Sequence, residues 1–156
     1  MTIICIRNGV VASDTGGFSG TLISSHDCEK ATVLRSGTYH GGIIGAAGPS
    51  WWTQEIKRWA EGDCTLPCPV TDEDDHGQAV ILLPNQPRGL LQHMLRIDSP
   101  DFKPYVSVAE FLAIGGPSEF AFGAMAAGAT AVQAVNLCFH HTSYAAGRIS
   151  TLVLPC

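Results

Sequence analysis

The chain has 156 residues, 46% of them hydrophobic and 15% charged, with a formal net charge of −5. A chain of this size can bury one good core, and this composition excludes a disordered or coiled-coil polypeptide. The acidic balance, without any basic cluster, argues against nucleic acid and anionic membranes as partners.

No apolar run approaches the roughly 18 residues of a membrane span, and the first residues lack the charged start and cleavage site of an export signal. The expectation is one domain over residues 1–156, cytoplasmic, with its cysteines at positions 5, 28, 64, 68, 138 and 156 reduced. Cys64 and Cys68 flank Pro67 at a spacing unlike a zinc knuckle and read as free thiols.

Ile3 to Ile6 and Val10 to Ala12 are continuous apolar runs, the pattern of strands buried on both faces. Arg7-Asn8-Gly9 between them predicts a three-residue loop with Gly9 left-handed. That loop sets Ile6 against Val10 and Thr2 directly opposite Asp14. A two-residue Asn8-Gly9 loop would face Ile3 with Asp14 instead. Thr15-Gly16-Gly17 ends this hairpin, and 21–25, 30–35 and 39–46 read as further strands. His26 falls in a turn between two of them and reads as exposed.

Pro49 marks the start of a helix, with Gly48 as its cap and Gly62 as its stop. Trp52, Ile56 and Trp59 recur on one face, a core stripe, and Trp51 lies beside it, free for a neighbouring subunit. Pro67, Pro69 and the acidic run Asp72-Glu73-Asp74-Asp75 then oppose helix across 62–77. That run, with His76, lacks the glycine and alternating ligands of a calcium loop and reads as solvated. Strands follow at 78–83 and 90–97 around the turn Pro84-Asn85-Gln86-Pro87-Arg88-Gly89, and a strand region follows at 106–114. Residues 117–141 give two helices broken at Gly128-Ala129, the second opening on the capping-box pattern Thr130 to Gln133. His140 and His141 project about 100° apart and read as helix-end residues rather than metal ligands. Residues 148–154 form a last strand. Many strands, one helix, strands, two helices and a strand make an α+β chain.

The chemistry concentrates at the start: a hydroxyl at Thr2, a carboxylate at Asp14 and an ammonium at Lys30. A threonine hydroxyl becomes a nucleophile when a base removes its proton, and a terminal threonine supplies that base as its own α-amine. A small residue after Met1 permits loss of that Met, which leaves Thr2 first. Thr2-Ile3-Ile4, the Asn8-Gly9 turn, Asp14, Lys30, Ile44-Gly45-Ala46-Ala47-Gly48 and Ala113-Ile114-Gly115-Gly116 with Phe120-Ala121 together resemble the proteasome β-subunits and HslV-type peptidases among the N-terminal nucleophile hydrolases.

That resemblance implies an αββα sandwich with one of the usual helices trimmed. It implies Thr2 as nucleophile and base, with Lys30 favouring the deprotonated groups and Asp14 holding Lys30 and the amine. The Gly45 N–H, beside Ala46, would donate to the oxyanion. Gly116 occupies the place of a supporting serine, and Asn136 is the nearest polar residue to a last-helix aspartate. A gapless overlay of the first strand puts Met1 rather than Thr2 in the nucleophile position. No cofactor or metal is implied. The implied partners are copies of the chain in a homo-oligomeric ring, a peptide or unfolded-protein substrate, and an ATP-dependent unfoldase. Two other readings stay open: a catalytically silent structural subunit, and an N-terminal nucleophile amidase acting on a small amide, which needs a specific acid-binding pocket that the lone Arg35, Arg88 or Arg96 does not define.

Overall fold

The computed structural model describes residues 1–19, 22–62, 64, 66–72, 75–86 and 90–155. Thr21, Glu73, Asp74, Pro87, Arg88, Gly89 and Cys156, which enter the readings above, lie outside them. The elements in chain order are β1 (Ile3–Arg7), β2 (Val10–Asp14), β3 (Gly17–Ser19), β4 (Leu22–Ser25), β5 (Ala31–Val33), β6 (Ile43–Ala47) and α1 (Ser50–Glu61). β7 (Gln78–Leu82), β8 (Gln92–Asp98), β9 (Tyr105–Ala109), β10 (Phe111–Gly115), α2 (Ser118–Ala126), α3 (Ala131–His141) and β11 (Ile149–Val153) follow.

The strands form a four-stranded sheet in the order β10-β1-β2-β11, a five-stranded sheet in the order β5-β6-β7-β8-β9, and the ribbon β3-β4; all pairings are antiparallel. Alternation along the strands divides the apolar side chains into three clusters. Ile4, Ile6 and Val11 meet Ile43, Val80 and Met94 between the two larger sheets. Ile3, Cys5 and Ala12 meet α2 and α3 through Met125, Val135 and Cys138. The helix α1 lays Trp52, Ile56 and Ala60 on Ile44, Ile81 and Ile97. Fully burying a side chain such as Ile56 stabilises the fold by roughly 1.5–3 kcal/mol.

The αββα sandwich implied by the resemblance does not form. The described residues are mostly β, three antiparallel sheets and eleven strands with three short helices, 22% of those residues helical. Pro67 and Pro69 leave the described part of 62–77 without a helix, since proline cannot donate to the ladder of a helix interior. Among the described residues α1 is the one helix packed on the outer face of the five-stranded sheet, and at the β8–β9 end of that face Val106 and Val108 are exposed. The ribbon β3–β4, not foreseen as a sheet of its own, carries exposed Leu22 and Ile23. The strand region after residue 105 is two strands, separated at Glu110.

The first turn is also corrected. Cys5 pairs with Ala12, Ile6 with Val11 and Arg7 with Val10, so only Asn8 and Gly9 lie in the loop. Both have positive φ, 53° and 73°, the pairing that a two-residue hairpin turn matched to strand twist requires. Arg7 is held in the strand by its side chain. Its guanidinium donates to the Met125 and Ala129 carbonyls, 2.7 Å each, and pairs with Glu110 at 2.6 Å. Those bonds close the carboxyl end of α2, and they bind the hairpin to the helix pair.

Pro49, rather than Gly48, stands at the amino-terminal boundary of α1, and Gly62 ends the helix. Thr130 and Gln133 form the capping box in full at the start of α3. Among the described residues no helix is long and apolar enough to cross a membrane.

Candidate active site

Met1 and Thr2 precede β1 and line a cleft with Ala47 and Gln78 of the five-stranded sheet and Gly115 of the four-stranded sheet. Met1 is exposed and Thr2 is buried. The Thr2 carbonyl accepts the Gly116 N–H at 3.0 Å, which extends the β1–β10 ladder by one bond. Gly115 has φ +106°, and a Cβ there would collide with the Thr2 carbonyl. Its own N–H donates to Gln78 Oε1 at 3.0 Å. The glycine pair therefore braces the start of the chain through the backbone. Gly116 reaches Thr2 as an amide rather than through a side chain.

Asp14 closes β2 and is fully buried. Its Oδ1 accepts the Ile3 N–H at 3.0 Å, and its Oδ2 accepts the N–H groups of Gly16 at 3.2 Å and Ala146 at 3.3 Å. The register of the turn puts Ile3, not Thr2, opposite this carboxylate. Burial pushes the Asp14 carboxyl above its ordinary value; the Ile3 amide, Lys30 and the other two amides partly offset that rise. Among the described residues no ion pair joins Asp14 to Lys30, although the two charges feel one another. Asp14 thus holds backbone amides where the resemblance had it holding the lysine.

Lys30 stands just before β5, half-buried. The α-ammonium of Met1 feels both charges: burial and then Lys30 depress its proton affinity, and Asp14 raises it. The amine at the start of the chain, the lysine and the buried carboxylate lie near enough for their charges to act on one another. The residue carrying that amine is Met1.

The two expected oxyanion amides are engaged in the sheet. The Ala46 N–H donates to the Lys30 carbonyl at 3.1 Å. Successive residues of a central antiparallel strand turn their N–H groups to opposite neighbours, so Gly45 directs its own to β7, where it faces Val80. Gly48 is the next amide beyond the ladder, and its N–H meets no acceptor among the described residues.

Two clefts converge on this segment. One of about 710 Å³ is lined by Met1, Thr2, Gly48, Gln78, His76 and Gly116. The other, of about 490 Å³, is lined by Met1, Thr2, Gly48, Lys30, Ala46 and Lys57. Met1, Thr2, Gly48 and Pro49 line both. No protein-family model and no curated protein matches this chain.

Asn136 is exposed on α3, and no bond joins it to these residues. His26 is exposed too, and its carbonyl accepts the Thr15 hydroxyl at 2.6 Å. Gly48, Gln78, Lys57 and the Ala146 amide were not foreseen in the site. Gly48 was taken for a helix cap, and its free amide depends on where the β6 ladder stops. Gln78, Lys57 and Ala146 carry no local signal, because each meets the site through tertiary pairing. Among the described residues no group of three or more His, Cys, Asp and Glu side chains is placed to hold a metal.

Proposed function

We propose that the chain is an N-terminal nucleophile peptidase of the proteasome β and HslV-like kind, hydrolysing peptide bonds through Thr2 once Met1 is removed. The observation that carries this reading is that Met1 and Thr2 lie on the wall shared by two clefts, with Lys30 lining one of them and the charges of Lys30 and buried Asp14 both reaching the amine at the chain's start. A peptide lying across that wall would place one side chain in each cleft.

In this reading the Thr2 hydroxyl attacks the scissile carbonyl while the Thr2 α-amine accepts its proton. Lys30 disfavours protonation of that amine and so keeps it neutral and free to accept the hydroxyl proton. The tetrahedral oxygen takes a hydrogen bond from the free Gly48 N–H, in place of the engaged Gly45 and Ala46 amides. The amine returns the proton to the leaving nitrogen as the C–N bond breaks, which leaves an ester on Thr2. Water, deprotonated by the same amine, then cleaves that ester and restores the hydroxyl. A homo-oligomeric ring and an unfoldase partner belong to this reading through the resemblance alone.

A second reading, a catalytically silent subunit of the same kind, is favoured by one feature. The two-residue turn opposes Ile3, rather than Thr2, to Asp14, and the amine that feels Lys30 and Asp14 is that of Met1.

Intact mass before and after exposure to a peptide epoxyketone separates the two, because that reagent closes a ring with both the amine and the hydroxyl of a terminal threonine. Loss of Met1 with one adduct, absent in Thr2→Ala, is the outcome for the peptidase. A chain that keeps Met1 and takes no adduct is the silent subunit.

A further inference from the structure

The 490 Å³ cleft brings two lysines from separate elements to one wall. Lys30 precedes β5, and Lys57 lies on α1, where its Nζ donates to the Glu29 carbonyl at 3.2 Å. No carboxylate lies within 4.0 Å of either ammonium among the described residues. The one acidic side chain on the wall, Glu29, is exposed. Ser24, Ser50 and Thr53 add hydroxyls, and the first turn of α1, which opens on this cleft, contains no acidic residue. The neighbouring cleft has the opposite character, with Asp75 and His76 on its wall. Two cations lining one cleft repel one another, and an anion between them relieves that repulsion, which buried Asp14 and exposed Glu29 offset only at a distance beyond an ion pair. Burial is the main cause that lowers the proton affinity of Lys57; Glu29 offsets it in part, and Lys30 adds a smaller lowering.

We infer that this cleft selects an acidic side chain of the peptide substrate, its carboxylate bridging Lys30 and Lys57. The inference rests on the peptidase reading for its ligand class, but its charge selectivity is a property of the cleft and is measured by binding. Charge-assisted bonds to a part-buried ammonium pair are the strong kind, and they distinguish glutamate from its isostere glutamine by charge alone.

The test uses the full chain and three fluorescein-labelled hexapeptides that differ only in a central Glu, Gln or Lys. Fluorescence anisotropy gives their affinities, and cleavage of the same peptides is followed in parallel. The Glu peptide is expected to bind about tenfold more tightly than the Gln peptide, with the Lys peptide weakest. In Lys57→Gln the Glu-to-Gln ratio falls to about one, in Lys57→Arg it persists, and in Lys57→Glu the Lys peptide becomes the preferred one. Raising the salt concentration compresses the wild-type ratio. Equal binding of the three peptides, a preference for Lys, or no binding at all overturns the inference. Uniform binding accompanied by cleavage leaves the peptidase reading intact, whereas charge-selective binding without cleavage of any peptide removes that reading and keeps this one.

Discussion

The Ile3 N–H donates to Asp14 Oδ1 at 3.0 Å, and this bond ties the first residue of β1 to the last of β2. With the Gly16 and Ala146 amides on Oδ2, it makes Asp14 the knot of three chain segments. Asparagine keeps one acceptor oxygen but turns an NH2 toward two N–H donors. Asp14→Asn should therefore lose about 2–4 kcal/mol of stability, since buried donors left without an acceptor each forfeit roughly 1–3. Urea unfolding followed by circular dichroism reads this directly, and an unchanged midpoint would remove Asp14 from its structural role.

The same carboxylate gives a pH signature. Its folded value lies above the ordinary 3.8, chiefly through burial. As pH rises from that ordinary value, the unfolded chain releases its proton first while the folded chain still holds its own. Stability from this group is therefore present at low pH and is lost as pH climbs through the raised folded value. The stability of wild type minus that of Asp14→Asn should shrink with rising pH above about 3.8 and then stay level. A difference that grows with pH in that window would give the shift the opposite sign.

The amine at Met1 provides a second titration with opposed controls. Burial and Lys30 lower its proton affinity below the ordinary 8.0, and Asp14 raises it. In the chain carrying Met1, acetylation of this amine by a succinimidyl ester should show a pH midpoint below 8.0. Lys30→Met should move the midpoint up and Asp14→Asn should move it down, because each removes one of the two charges. Peptide mapping by mass spectrometry follows the terminal adduct. Shifts in the same direction for both variants would separate the amine from these charges.

Much of the fold was legible because its signals are local. The apolar runs at Ile3–Ile6 and Val10–Ala12, the stripe of Trp52 and Ile56, and the capping box at Thr130 and Gln133 each require only neighbours in sequence. The turn was misread because Arg7-Asn8-Gly9 suits either loop length. What decides it is the grip of Met125, Ala129 and Glu110 on the Arg7 side chain, more than a hundred residues away in the chain. The same one-residue difference moved Thr2 off Asp14. The αββα expectation failed because the described residues are mostly β with three short helices, whereas the expected trimming of a helix near Pro67 and Pro69 goes with the exposure of Val106 and Val108. Within the site, Asp14, Lys30 and the first residues were brought together, whereas the engagement of the Gly45 and Ala46 amides followed from ladder alternation, which no local motif encodes.

Gly115 is the position where a single methyl group should separate fold from site. Its φ of +106° suits glycine, and a Cβ there would occupy the place of the Thr2 carbonyl. Gly115→Ala must therefore distort the backbone at residue 115 or push the Thr2 carbonyl away from the Gly116 N–H. The combined strain and overpacking should amount to roughly 2–4 kcal/mol. Because α2 and α3 hold β1 and β10 from the other face through Ile3, Cys5 and Met125, the sheet should survive and the displacement should fall on Met1 and Thr2. The expected result is a folded protein with a lowered melting temperature, with fast amide exchange at Gly116 and no epoxyketone adduct even where the parent chain takes one. Protection of the Gly116 amide equal to that of the parent would show that Thr2 is not held by this glycine pair.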